Sequence, residues 1–395
     1  MKKTLPIIAA LILLSSTAMF AQGKFSGYMF GDYYYNVTRD PHVGSSNIAS
    51  PAGTTAFQAF QFRRIYFTYD NDISEQFTSR FRLEADQVQE TVDGTKSATT
   101  LDTASIRKSG VSVPNPASKI SVFVKDAFLR WKNVFTGSDI IFGIQPTPAY
   151  EISEAAWGYR SLDKTIMDLR GIVSSRDLGI SLKGKLTGDG MVNYWLMLAN
   201  NSGNSPETDK YKRYYAHIQL KPTTNLQTTL YVDYKDMANI LNSYTKSYVN
   251  NSAVTTALFV GYSEPYSYNI GVEAFLQSTS NALKDTVTKS YLSKSTMGFS
   301  VFGSFNIIPE LAVVVRYDNF NPSTDDKGKD PVAVTTAVAN GNLSRNYVIA
   351  GLSWKVDKNV SIIPNILYET YETPKGGKAI DASTTARLTV YYVFL

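Results

Sequence analysis

Arg80, Arg82, Glu84 and Asp86 occupy alternate positions of one short segment, with Phe81, Leu83 and Ala85 between them. Alternate residues of an extended chain share a face, so this spacing sets guanidinium and carboxylate groups in a single file. The same parity elsewhere collects a basic set: Arg64, Arg130, Lys183, Lys185, Arg213, Arg316 and Arg387. It also collects an acidic set: Asp126, Asp177, Asp233, Glu273, Asp318 and Glu369. Such files can do one of two things. They can set a field that favours ions of one sign in a narrow wet passage, or they can pair across strands and brace a wall. The residue pattern leaves both readings open.

Other chemistries find little support. The chain has no cysteine, which removes disulfide, thiolate-metal and cysteine-nucleophile readings together. Its two histidines, His42 and His217, are far apart in sequence, and neither makes a metal cluster with cysteine. A hydrolase needs a base beside its nucleophile, and His217 reads more simply as a polar member of a charged face. No phosphate-cradling glycine loop is present. No cofactor, metal or catalytic residue is expected. The formal charge falls from +5 to +3 once Lys2 and Lys3 are removed, too near neutral for a nucleic-acid partner.

Those two lysines belong to a leader. They precede a mostly apolar run, Leu5 to Leu14, and the small residues Ser15, Ser16, Thr17 and Ala18. That is the layout of a secretory signal peptide, too short to span a bilayer. Cleavage after Ala21 or after Ala18 fits; residues 1–21 are taken as the signal and 22–395 as the mature domain. Beyond the leader no apolar run reaches the roughly 18 residues of a membrane helix. Mean hydropathy is −0.16 while aromatics reach 13%, a combination that suits a chain alternating between lipid and water.

The elements that must position the charged files are strands of period two. Sixteen are read, over approximately 24–36, 57–70, 74–88, 119–132, 138–145, 176–185, 190–199, 211–221, 225–235, 254–263, 266–277, 295–306, 309–318, 345–356, 359–371 and 384–395. Most are near the 9–11 residues that a tilted strand needs to cross a bilayer. Their connections alternate between short turns such as Asn71-Asp72-Ile73 and long polar segments such as Pro322 to Asn342. Strict short-long alternation is how an antiparallel up-and-down transmembrane β-barrel is built, with brief periplasmic turns and long external loops. A β-sandwich has no reason to alternate in this way. An all-β outer-membrane barrel is therefore expected to fill the mature chain, with outer-membrane lipids around it.

The third long segment, 146–175, stands apart. It carries Glu151, Glu154, Asp163 and Asp168, with Arg160, Lys164 and Arg170 interleaved. It also carries Trp157, Tyr159, Leu162, Ile166, Met167 and Leu169, an apolar content out of place in a loop facing water. Either it folds inward and forms a constriction, or it is an external lid or subunit contact. Tyrosines near strand ends, such as Tyr33, Tyr69, Tyr234, Tyr262 and Tyr317, read as interfacial girdles. A stacking path for sugars along Tyr211, Tyr215 and Tyr231 is the competing use of this residue type.

Certain stretches resemble a known family. Phe62-Arg63-Arg64-Ile65-Tyr66-Phe67, Arg80-Phe81-Arg82-Leu83-Glu84 and Lys125-Asp126-Ala127-Phe128-Leu129-Arg130 resemble early strands of the phosphate-selective porin O and P family. Phe142-Gly143-Ile144-Gln145-Pro146, then Glu151, Glu154, Arg160 and Asp177 to Ile180, resemble its strand, inward loop and return strand. Leu198-Ala199-Asn200-Asn201 resembles a strand end where glycine usually stands at Asn201. The likeness covers roughly residues 25–222. It implies a porin: a water-filled channel for passive diffusion of small hydrophilic solutes, and a homotrimer. It also implies an aromatic carboxyl-terminal signal for the barrel-assembly machinery, carried here by Tyr392 and Phe394 and followed by one extra residue, Leu395. The phosphate-specific members are strongly basic inside. The mixed charges of this chain point only to a weak preference for phosphate-like anions. The alternative is a barrel that is no channel, such as an adhesin, a structural anchor or a hydrolase.

Overall fold

The computed structural model describes residues 23–40, 53–86, 90–92, 111–113, 121–285, 289–324, 343–373 and 378–395. The leader, His42 and most of the 322–342 loop lie outside them. The strands are β1 (Lys24–Thr38), β2 (Gln58–Asp72), β3 (Phe77–Asp86), β4 (Glu90–Val92), β5 (Val111–Val113), β6 (Ser121–Phe135), β7 (Ser138–Pro146), β8 (Arg176–Lys185) and β9 (Val192–Ala199). They continue with β10 (Arg213–Leu220), β11 (Leu226–Leu241), β12 (Tyr248–Glu264), β13 (Tyr268–Asp285), β14 (Ser290–Ile308), β15 (Leu311–Asn321), β16 (Arg345–Asp357), β17 (Val360–Tyr371) and β18 (Ser383–Val393). Sixteen of them close into one antiparallel barrel in chain order, while β4 and β5 pair with each other in the excursion between β3 and β6. Closure falls between the first and last strands, from Tyr28 opposite Val393 to Tyr35 opposite Ala386.

The polarity is inverted relative to a water-soluble protein. Phe142, Leu230 and Ile366 are more than half exposed on the outside, whereas Arg213, Asp233, Glu273, Arg316 and Thr389 are buried inside. An outer wall of exposed apolar side chains is stable only against lipid. Tyr262 sits exposed near the end of β12, as expected of a girdle residue, whereas Tyr234 is exposed in the middle of β11, which runs further than the sequence indicated.

Two long segments differ from the reading of the sequence. Residues 236–253 and 278–294 were expected to be loops. Instead β11 and β12 pair out to Leu241 opposite Tyr248, and β13 and β14 pair out to Asp285 opposite Ser290. These ends mix polar and apolar residues on both faces, so they lack the dyad signal. Their backbone ladder continues beyond the length that a bilayer needs.

Candidate functional site: the inward loop and its charged surround

Between β7 and β8 the chain forms two short helices, α1 (Glu151–Trp157) and α2 (Ile166–Leu169). The sequence reading placed no helix here. Glu-Ile-Ser-Glu-Ala-Ala-Trp is a run of mostly good helix formers, and Gly158 stops it by taking the left-handed conformation at φ 69°. Ser153 and Trp157, one turn apart, form its buried face.

The loop lies against the inner wall. Trp157 and Leu162 pack with Phe259, Phe302, Val314, Tyr347, Ile349, Ile363 and Leu367. Tyr150, Ile166, Met167 and Val173 pack with Met197, Tyr215, Tyr231, Phe275 and Phe320. Gly298 leaves the room for this: a side chain there would meet Phe275 at 2.3 Å and Ile166 at 2.9 Å. Polar ties complete the attachment. Arg63 and Arg387 donate to the Leu162 carbonyl at 3.0 and 2.7 Å, and Asn269 donates to the Ala156 carbonyl at 2.7 Å. Tyr347 donates to Asp163 at 2.8 Å, and Arg316 donates to the Lys164 carbonyl. The loop covers the side of the lumen built by β9 to β17 and is tied to β18 and β2 through Arg387 and Arg63, while its remaining edge faces Arg64 of β2 and the charged residues of β3 and β6.

The charged residues singled out in the sequence divide into three groups. The first faces the free edge of the loop. Arg64 pairs with Glu84 at 3.2 Å and Asp86 at 3.4 Å, and Arg82 pairs with Asp126 at 3.3 Å. Across from them, Arg160 bonds Glu154 at 3.2 Å and reaches Asp168 at 3.7 Å, with Lys164 3.5 Å from Asp168. Burial alone would raise the Asp168 pKa, but Lys164 and Arg160 outweigh it and hold this carboxyl below the usual aspartate range.

The second group is Arg170, Arg213 and Arg316. All three were expected to line the pore, and all three are buried behind the loop instead. Arg213 binds Asp233 at 3.0 and 2.8 Å, Arg316 binds Asp318 at 2.8 and 2.5 Å, and Arg170 binds Glu369 at 2.9 Å. Strand parity had put Arg213 and Arg316 on the right face, but parity does not say what else occupies that face; Arg170 belongs to the loop itself and turns toward the wall. Tyr215 and Tyr231 are also covered by the loop, and their hydroxyls donate to Asp177 at 2.7 Å and Asp233 at 2.6 Å. They offer no open stacking path.

The third group lies toward the short turns. Arg80 binds Asp70 at 2.7 Å, Arg130 binds Asp139, and Lys183 binds Glu151 at 3.0 Å. A chamber of about 850 Å³ is lined there by five basic residues, including Lys185, and two acidic ones. His217 lines the same chamber. A second chamber of about 760 Å³ touches Arg160 and holds Lys355, Lys358 and Glu310.

Three cations at the loop's edge escaped the sequence reading. Between β1 and β2 the register shifts as Phe30 pairs with Arg64 and Gly31 with Phe62, leaving Arg63 as the extra residue. Between β3 and β6 it shifts as Arg82 pairs with Asp126 and Leu83 with Val124, leaving Lys125. A bulge lets two successive side chains face the same way. Thus Arg63 reaches Asp32 at 2.5 Å and Lys125 reaches Glu84 at 2.9 Å, both inside the barrel. Arg176, at the first position of β8, binds Asp126. The doublets Arg63-Arg64, Lys125-Asp126 and Arg176-Asp177 were the available signal, since two adjacent charges cannot both avoid lipid on a regular strand.

No protein-family model and no curated protein matches the sequence. Solved structures do match along nearly the whole chain. The outer membrane channel DcaP of Acinetobacter baumannii superposes with a TM-score of 0.61 at 13% identity, over 95% of this chain and 98% of its own. The fold is that of outer-membrane porins. OprB of Pseudomonas putida gives 0.59 at 9% identity over 98% and 96% of the two chains. An anion-selective porin from Comamonas acidovorans gives 0.55 at 11% identity over 95% and 100%. At such low identities the porin likeness is one of architecture. Asn201, where the resembling family carries glycine, has φ 68°, and its N–H donates to Asp177 at 2.7 Å. Asparagine is among the few residues that tolerate that region.

Proposed function

We propose that this chain is an exported outer-membrane porin that passes small hydrophilic solutes by diffusion, with a weak preference for anions and no enzymatic activity. The observation that carries the reading is the charged gap between the loop edge and the wall. Arg64, Arg82, Arg160 and Lys164 keep 14%, 17%, 19% and 31% of their side-chain surface in solvent. Charges held at the edge of an inward loop form a wet passage with a fixed field. The excess of basic groups in both chambers at the short-turn end supports the sign of the preference. Glu84, Asp126, Glu154 and Asp168 neutralise much of the field at the gap, which supports its weakness and argues against strict phosphate selectivity.

The leader at residues 1–21 supports export, with removal before insertion. Phe394 donates its N–H to Gly27 at 3.0 Å, so the aromatic end expected to meet the assembly machinery lies at the closing seam. A groove of about 620 Å³ on the outer wall, floored by Ala350 and Gly351 and flanked by Tyr33, Leu352 and Leu388, supports close approach of a neighbouring barrel in a homotrimer.

Purified protein in a planar bilayer should give ohmic single-channel steps, and a KCl gradient should give a modest reversal potential of anion-selective sign. A flat record would overturn the channel. It would favour the second reading, a closed barrel serving as anchor or adhesin, which draws on the two apolar clusters the loop drives into the lumen.

A further inference from the structure

The strand that carries Lys125 has a bare edge. On one side β6 pairs with β3 as far as Ser121, with the bulge at Lys125. On the other side its pairing with β7 ends at Ala127 opposite Ile144. Among the described residues no strand covers the β7 side of 121–126. Such an edge leaves carbonyls without a ladder partner. Asn204 takes that place: its side-chain amide donates to the Val124 carbonyl at 2.8 Å and to the Lys125 carbonyl at 2.9 Å. Asn204 follows β9, so it reaches β6 across β8 and β7.

The segment is fastened along its way. The Asn200 N–H donates to the Leu178 carbonyl at 3.1 Å, and the Asn201 N–H donates to Asp177 at 2.7 Å. Asn201 and Gly203 both take the left-handed conformation, at φ 68° and 65°, and turn the chain toward β6. Gly203 passes so close to the root of the inward loop that a side chain there would meet Ser174 Oγ at 2.9 Å. At the far end the bulge aims Lys125. Its ammonium lies 2.9 Å from Glu84 and donates to Ser175 Oγ at 3.2 Å, and the residue is buried. Glu84 also pairs with Arg64, so Lys125 completes the neutralisation of that carboxylate at the gap.

We infer that Asn204 is a positioning residue for the charged gap: by bridging the two bulge carbonyls it locks the β6 bulge and holds the Lys125 ammonium on Glu84. A side-chain amide nitrogen carries two N–H donors, so one asparagine fastens both carbonyls at once. On a regular strand Lys125 would point away from the face of Asp126 and into the outer wall. The bulge is what brings both inside. Without the amide the bulge relaxes, the ammonium leaves Glu84 for water, and the carboxylate faces the gap with Arg64 alone. The effect on ion preference rests on the channel reading; the position of Lys125 does not.

The reactivity of Lys125 itself is the first readout. The full barrel, folded in detergent at pH 8, is treated with limiting acetic anhydride, and acetylation of each lysine is followed by peptide mass spectrometry. Asn204→Ala should raise the Lys125 rate about fivefold, because a locally opened bulge becomes more populated. Asn204→Leu, close in size but without N–H donors, should do the same, and Asn204→Gln, which keeps the amide, should retain most of the protection. Lys358, exposed at the opposite end of the barrel, should react at the parent rate throughout. An unmoved Lys125 rate in Asn204→Ala, or an equal rise at Lys358, would overturn the assignment. Should Asn204→Ala fail to show heat-modifiable migration, Asn204→Gln is read alone, with a smaller rise expected at Lys125 and none at Lys358. The second readout is the reversal potential in a KCl gradient. Lys125→Gln and Asn204→Ala should each move it toward cations, and Asn204→Ala should add nothing in a Lys125→Gln barrel, since the two act through one ammonium. Additive shifts would show that Asn204 acts on the gap by another route and would sink the proposal. A barrel that conducts nothing would sink the channel and leave the acetylation result standing. A conducting barrel whose Lys125 rate ignores Asn204 would do the reverse.

Discussion

Glu273 is a buried carboxyl that forms no ion pair among the described residues. Ser153 of α1 donates to one of its oxygens at 3.1 Å, and the other accepts no hydrogen bond. Nearby, Arg316 and Asp318 are equally buried but bind each other through two contacts. The two cases should respond oppositely to neutralisation. Glu273→Gln removes a charge that burial penalises and keeps an acceptor for Ser153, so heat-modifiable unfolding should stay the same or move to higher temperature. Asp318→Ala strands the Arg316 guanidinium without its partner and should cost about 3–5 kcal/mol, read as an earlier unfolding transition. Asp168 adds a pH dependence. Its pKa is depressed in the folded loop, so its stabilisation is complete above the ordinary aspartate range and is lost as pH falls through the depressed value. Current flicker should therefore rise under acid conditions, and Asp168→Asn should flicker at neutral pH. A flicker that ignores both pH and this substitution would remove Asp168 from the loop's anchorage.

The loop behaves as an element fastened by its apolar face, and Trp157 is the largest side chain in that fastening. It is 1% exposed, packs edge-on against Phe302 at 5.3 Å and donates to the Asp163 carbonyl at 2.9 Å. Trp157→Ala should free the loop at a cost of about 3–5 kcal/mol while the barrel ladder stays whole. Unfolding of the barrel would then shift little, and protease cleavage between α1 and α2 would appear where the parent resists; a resistant variant would show that the polar ties suffice. How much of this element the sequence disclosed follows from the kind of signal each part leaves. Period two in β3 and β18 reported which residues face inward, because most inward positions of those strands are polar and most outward ones are not. Apolar residues in 146–175 reported that the loop needs a surface to cover, but not which one. Arg213 and Arg316 were placed on the correct face yet not behind the loop, since parity carries no information about depth. Arg63 and Lys125 were lost because a bulge breaks the period at the level where the loop docks. The outer ends of β11 to β14 were lost because neither face there is consistently apolar.

At the scale of the whole molecule the two walls of the barrel have different solvents, and one strand suffices to test both. In β9, Leu196 points outward and is 47% exposed, opposite Ala216 of β10 and Leu182 of β8, in the middle of the apolar band. Asn193, three residues earlier, points inward and lines the basic chamber. If the outer wall meets hydrocarbon, Leu196→Arg should destabilise the folded barrel by about 2–4 kcal/mol, the cost of an arginine near the bilayer midplane. Asn193→Arg places the same side chain in water, so its cost in stability should be small. Its effect should appear in transport instead, as a reversal potential moved further toward anions. The two substitutions thus exchange their signatures: one alters folding in lipid and leaves selectivity, the other alters selectivity and leaves folding. A soluble β-protein with this sequence would tolerate Leu196→Arg readily, since an exposed arginine is at home in water, and equal small effects at both positions would therefore refute the membrane barrel itself.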